Sequence, residues 1–188
     1  MSMKNIRAIL ATALVLIAMG SFAQVNWVTI DKAQELNKQE PRKIMVDVYT
    51  KWCGPCKMMV KYTFNDKWIA DYINKYYYAV KFNAEGPEDC TFKGTTFTNP
   101  NYVKDKRGRN GTHQFTQAIA PVNGRIAYPT VVFIDQDLNL ITGVQGFQKP
   151  VQFEPMLKFI NEDVYKTSNW EAFMKSFKSE RAVNSPTQ

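Results

Sequence analysis

Histidine and cysteine are scarce in this chain, whose 188 residues include one histidine and three cysteines. Three cysteines are too few to staple a small disulfide scaffold. With His113 they supply the residue types of a Cys3His zinc site, but Cys53, Cys56 and Cys90 are not spaced as paired knuckles, and neither a metal nor another bound cofactor is expected. Charge of one sign is not concentrated either. The formal net charge is +7, from 24 Lys and Arg against 17 Asp and Glu, with no basic run of five, so no nucleic-acid partner is expected. Internal repeats and low-complexity tracts are missing. No apolar stretch reaches the roughly 20 residues that a membrane-spanning helix needs. What is present is 45% hydrophobic, 13% aromatic and 22% charged, the composition of a globular protein with apolar mass for one sizeable core. Disorder, collagen and coiled coil are excluded, and the length argues for a single domain.

The apolar run Ala8 to Met19 follows Lys4 and Arg7 and precedes Gly20-Ser21-Phe22-Ala23, with small residues three and one positions before a cut after Ala23. Residues 1–23 therefore read as a cleavable secretory signal. An uncleaved N-terminal anchor is the alternative. Cleavage would leave residues 24–188 as one domain, soluble in the periplasm or secreted, without stable membrane insertion. Such a compartment is oxidising, so a thiol pair there needs a reductant or a reason to stay a disulfide.

Within the mature chain, Asp31 to Lys38 forms a short helix ended by Pro41. Ile44 to Tyr49 is nearly continuous apolar sequence, as in a strand buried on both faces, with Asp47 as the anomaly. Apolar spacing over Lys57 to Tyr62 predicts a helix, and Asn65 is placed to cap a further one from Asp66 through Asn74. Tyr76 to Asn83 is a second buried strand. Glu85 to Gly111 holds four glycines and two prolines and reads as an insertion, with a small hairpin over Cys90–Phe97 turning at Lys93-Gly94. Thr112 can cap a helix to about Ala120. Tyr128-Pro129-Thr130 then opens a strand over Val131–Asp135, followed by an antiparallel one over Leu140–Val144 that Gly146 closes. Helices follow over Pro150–Asn161 and, capped by Asn169, over Trp170–Phe177, within a C-terminal extension of about 162–188. The order gives an α/β sheet covered on both sides.

In Trp52-Cys53-Gly54-Pro55-Cys56-Lys57 two cysteines stand three positions apart where a buried strand gives way to a helix. Backbone N–H groups and the dipole at a helix start favour a thiolate at Cys53, making it the natural nucleophile. Cys56, one turn later and deeper, can attack a mixed disulfide and release the partner. Gly54 leaves room for an approaching backbone, and Pro55 fixes φ where its missing N–H costs little.

This hexapeptide resembles that of the thioredoxin superfamily. Asp47 six residues before Cys53, Lys81 on the following strand, Pro129 opening the next and Gly146 after the last strand match as well. The resemblance runs from about Ile44 to Ile160 apart from the insertion. It implies a thioredoxin-like fold: a central mixed sheet flanked by helices, with the hairpin insertion before the cis-proline strand and an extra C-terminal helix. Asp47 is costly as an anion inside an apolar strand and should hold a proton near neutral pH. The resemblance implies that it takes the proton of Cys56, with Lys81 and Lys57 as supporting cations. It also implies a cis bond before Pro129 that sets the Tyr128 backbone beside Cys53 for a substrate strand. Tyr128 departs from the smaller aliphatic residue common in cytosolic thioredoxins. Trp52, Gly54, Pro55, Tyr128, Pro129 and Gly146 are the expected substrate-binding rim.

Three signals carry less. Cys90 is a bystander or a protected thiol, the alternative being a role in intramolecular relay or dimerisation. Asn110-Gly111-Thr112 fits the glycosylation pattern, which matters in a eukaryotic source. Met58-Met59 and Tyr76-Tyr77-Tyr78 are packing residues. The expected function is an exported thiol–disulfide oxidoreductase acting on exported proteins through a mixed disulfide at Cys53, resolved by Cys56 and fed by a membrane thiol donor. Its rivals are a binding module with a structural disulfide, using the insertion for its partner, and a disulfide-introducing oxidase.

Overall fold

Apolar side chains on both faces of a strand require cover on both sides, and the two buried strands accordingly lie inside the sheet. In the computed structural model, which describes residues 24–181, β2 (Lys43–Tyr49) pairs in parallel with β3 (Tyr77–Asn83) and antiparallel with β6 (Thr130–Ile134). Two further strands complete the five-stranded mixed sheet: β1 (Trp27–Val28) beside β3, and β7 (Leu140–Gln145) beside β6. Residues 1–23, read as a signal, and 182–188 lie outside the described residues. Among the described residues, no helix is long and apolar enough to cross a membrane.

The period-two alternation of β2 divides the core. Ile44, Val46 and Val48 face α1 (Ile30–Gln39), α4 (Gln114–Ile119) and the hairpin of β4 (Cys90–Phe92) and β5 (Thr95–Phe97), in a cluster with Ala33, Phe92, Phe115 and Val132. Met45 faces the other way, with Val131 and Phe133, towards α3 (Lys67–Tyr76) and α5 (Pro150–Asn161), which contribute Ile69, Ile73, Phe153 and Leu157. The last helix, α6 (Trp170–Ser176), sets Trp170 edge to face and Phe173 at a tilt against Phe159. This is the expected α/β thioredoxin-like architecture, with its hairpin insertion and extra C-terminal helix.

Local corrections concern caps and exposure. Asp66, not Asn65, caps α3, its carboxylate accepting the Ile69 N–H at 3.1 Å. Asn65 has helical backbone angles and ends the π-helical turn Met59–Phe64, which continues α2 (Gly54–Met58). His113, not Thr112, caps α4: its Nδ1 accepts the Phe115 N–H at 3.0 Å. Met58 is exposed beside a buried Met59, consecutive helical positions pointing about 100° apart.

Candidate functional site

The cysteine pair sits at the junction of β2 and α2. Cys53 has extended backbone angles and caps α2, and Pro55 lies in the first turn, where no helical N–H is lost. Cys53 and Cys56 form a disulfide with Cα atoms 5.3 Å apart. The Cys56 N–H donates to Cys53 Sγ at 3.1 Å, the hydrogen bond that would hold a thiolate there. The expected difference in depth is not found: Cys53 is 2% exposed and Cys56 4%. Cys53 Sγ lies over the first helical turn, where the Cys56 N–H meets it. Gly54, Pro55 and Lys57 are exposed around it.

Asp47 lies beneath the pair on the central strand, 1% exposed. Parallel register places it opposite Lys81, whose Nζ is 3.9 Å from Asp47 Oδ2 and also stands over the Trp27 and Tyr49 rings. Burial pushes the Asp47 carboxyl from 3.8 up to about 7, against the opposing pull of Lys81. A cavity of about 140 Å³ joins Asp47, Thr50, Cys56, Lys57 and Lys81. Asp47 Oδ1 and Thr50 Oγ1 are buried there without a hydrogen-bond partner among the described residues. Thr50 was not anticipated from the sequence; a polar residue between a buried strand and the cysteine pair was its only signal.

The Tyr128–Pro129 bond is cis, and the Gly146 N–H donates to the Pro129 carbonyl at 2.8 Å. Gly146 has φ +88°, a conformation that favours glycine. Trp52 meets Tyr128 edge to face, with ring centroids 6.0 Å apart. Tyr128 thus meets Trp52, the residue before Cys53, and Gly146 is tied to Pro129 on the far side of the cis bond.

The insertion supplies further residues that the sequence reading left out. Glu85 Oε2 accepts the Trp52 Nε1–H and the Asn110 N–H, each at 2.8 Å. The Arg109 guanidinium stands over the Trp52 ring, 4.7 Å from its centroid. The sequence signal for Glu85 is its position just past the C-terminal end of β3. Asn110, noted for glycosylation, has its side-chain amide engaged, donating to Val103 O at 2.8 Å, while its Oδ1 accepts from Val103 N and Gly111 N.

A thioredoxin-like domain model matches residues 30–161 of the sequence. The chain belongs to the thioredoxin-like domain family. Among curated proteins, none matches significantly. Solved structures share the fold. A thioredoxin-fold protein from Helicobacter pylori is 18% identical, with TM-score 0.51 over 71% of this chain and 78% of the other. A Thermus thermophilus thioredoxin is 14% identical, with TM-score 0.51 over 73% and 87%. A Bacteroides thetaiotaomicron protein provisionally titled a disulphide-isomerase is 22% identical, with TM-score 0.50 over 80% and 100%.

The remaining thiol and the histidine stand apart from this domain's cysteine pair. Cys90 is 7% exposed on β4, in the cluster on the opposite sheet face from Met45, and burial, then Asp31 and Asp89, push its thiol up to about 12. His113 is buried against Phe82, its Nε2 3.1 Å from the Glu88 carbonyl. Among the described residues, no group of three His, Cys, Asp or Glu is placed to hold a metal. A disulfide at a helix start, sharing a small cavity with a buried acid, is an arrangement suited to thiol–disulfide exchange.

Proposed function

We propose that the chain is an exported thiol–disulfide oxidoreductase that reduces or isomerises disulfides of other exported proteins. The observation that carries this is the Cys53–Cys56 disulfide closed within one helical turn above the buried Asp47. In the reduced protein, the Cys53 thiolate attacks a substrate disulfide, forms a mixed disulfide and releases one substrate thiolate. Asp47, balanced near neutral pH, accepts the proton of Cys56. The Cys56 thiolate then attacks Cys53 Sγ, releases the second substrate thiolate and closes the disulfide, so two electrons have passed to the substrate. Lys81 tunes Asp47, and Trp52, Tyr128 and Gly146 border the docking rim. Gly54-Pro55 between the cysteines resembles the reducing members of the family, and a membrane thiol donor would return the electrons. No bound cofactor takes part.

Cys56→Ser, expressed in the exporting cell, should accumulate reductant-sensitive adducts with exported proteins, and Cys53→Ser/Cys56→Ser should not. An empty trap would sink the proposal. Acid quenching and thiol alkylation of the wild-type pair in cells give its direction: a reduced pair means reduction or isomerisation, and a fully oxidised pair rules them out.

A further inference from the structure

The cavity beside Trp52, about 450 Å³, has the insertion on one side, with Arg109 and Asn110, and Ile126 to Tyr128 ahead of the cis bond on the other. The opening is lined by Trp52, the residue before Cys53, which puts it within reach of side chains flanking a cysteine at Cys53. The insertion's tip is held in place there, since Asn110 ties Val103 to Gly111 and its N–H is fixed on Glu85. That tip is basic: Lys104, Lys106, Arg107 and Arg109 are exposed against a single acid, Asp105. None of the four cations has an ion-pair partner within 4.0 Å among the described residues. Glu85, the acid of the cavity, directs Oε2 at Trp52 and Asn110, not at Arg109. The Arg109 guanidinium carbon stands over the Trp52 ring, and among the described residues no hydrogen bond or ion pair takes up its N–H groups, which leaves them available to a carboxylate that they match two to two.

We propose that Arg109 and the basic tip select substrate segments carrying an aspartate or glutamate beside the reactive cysteine, with Arg109 binding that carboxylate in the Trp52 cavity. This rests on the exchange function proposed above. It gives the insertion a specificity role: like-charged segments are repelled where acidic ones are held.

The test uses chemically reduced full-length mature protein and three disulfide peptides that differ only in the two residues beside one cysteine, Asp-Asp, Gln-Gln or Lys-Lys. Second-order rate constants for their reduction are compared at low salt and at 0.5 M salt. The wild type should prefer the acidic over the neutral peptide by about five- to tenfold at low salt, and the ratio should shrink at high salt. Arg109→Gln should remove most of that ratio. Arg109→Glu should invert it, so that the lysine peptide leads, an inversion that mere support of Trp52 cannot produce. Equal rates for all three peptides in the wild type, or a ratio that neither variant changes, would overturn the inference while leaving exchange intact. Failure to reduce any of the three would overturn the exchange function, and this inference with it.

Discussion

Asp47 shows how one residue reports both fold and chemistry. An acid inside an apolar strand stands out in a sequence, and its neighbours were legible because Cys53, Cys56 and Pro129 sit at fixed places in a known strand order. The burial of Cys53 was not, because it depends on where the disulfide turns a sulfur. The sign of the Asp47 effect on stability follows from its titration: an ordinary carboxyl loses its proton near 3.8, the folded one near 7. Between those values the folded state keeps a proton that the unfolded state has lost, so this group lowers stability as pH rises through the window and contributes nothing below it. Above pH 7 the penalty comes to about 4 kcal/mol, with the pull of Lys81 already included in it. Asp47→Asn should therefore stabilise the oxidised protein by roughly 2 to 4 kcal/mol at pH 8, with the gain fading towards pH 4. Guanidinium denaturation at three pH values between 4 and 8 measures it, and a gain independent of pH would place the effect in packing instead of charge.

At the scale of elements, strands and long helices were readable because hydrophobic periodicity is averaged over many residues, whereas caps depend on the backbone angles of one. Asn65 and Asp66 are both good capping residues, and the choice falls to Asp66 because Asn65 is still helical at the end of the π-helical turn. His113 was passed over because an imidazole is an unusual cap, and β1 because two residues carry no period. The insertion was recognised by composition, but its hold on Trp52 depends on hydrogen bonds between residues far apart in sequence. Gly111 is the tightest point of that hold. A Cβ there would lie 2.4 Å from the Asn101 carbonyl oxygen, which is backbone and cannot rotate aside. Gly111→Ala should cost about 1–3 kcal/mol and, by shifting the loop that carries Arg109 and Asn110, speed hydrogen exchange over residues 103–111. Exchange as slow as in the wild type would mean that the loop is not held through this contact.

Across the whole molecule, the chain end after α6 joins helices that are distant in sequence. Glu154 on α5 is fully buried, and its oxygens accept from Ser179 Oγ at 2.5 Å and from the Glu180 N–H at 2.7 Å. Arg181 grips Asp66 through Nη2 and Nε, at 2.6 and 3.3 Å, and Asp66 is itself the cap of α3. Residues 179–181 thus link α3 and α5, and none of them lines the cavities beside Cys56 or Trp52. Ending the chain at Phe177 removes both of these contacts to Glu154, and a carboxylate stripped of its partners is costly until water replaces them. The truncation should destabilise by about 3 kcal/mol, read by denaturant unfolding, while disulfide exchange stays within about twofold. Two origins for that loss can be separated. If the stranded carboxylate dominates, Glu154→Gln should recover about half of it in the truncated chain and nothing in the full-length one, where the carboxylate accepts two hydrogen bonds. If Glu154→Gln costs the same in both, the stabilisation comes instead from the ion pairs of Glu180 with Lys158 and of Arg181 with Asp66, and Glu180→Ala and Arg181→Ala together should reproduce most of the truncation.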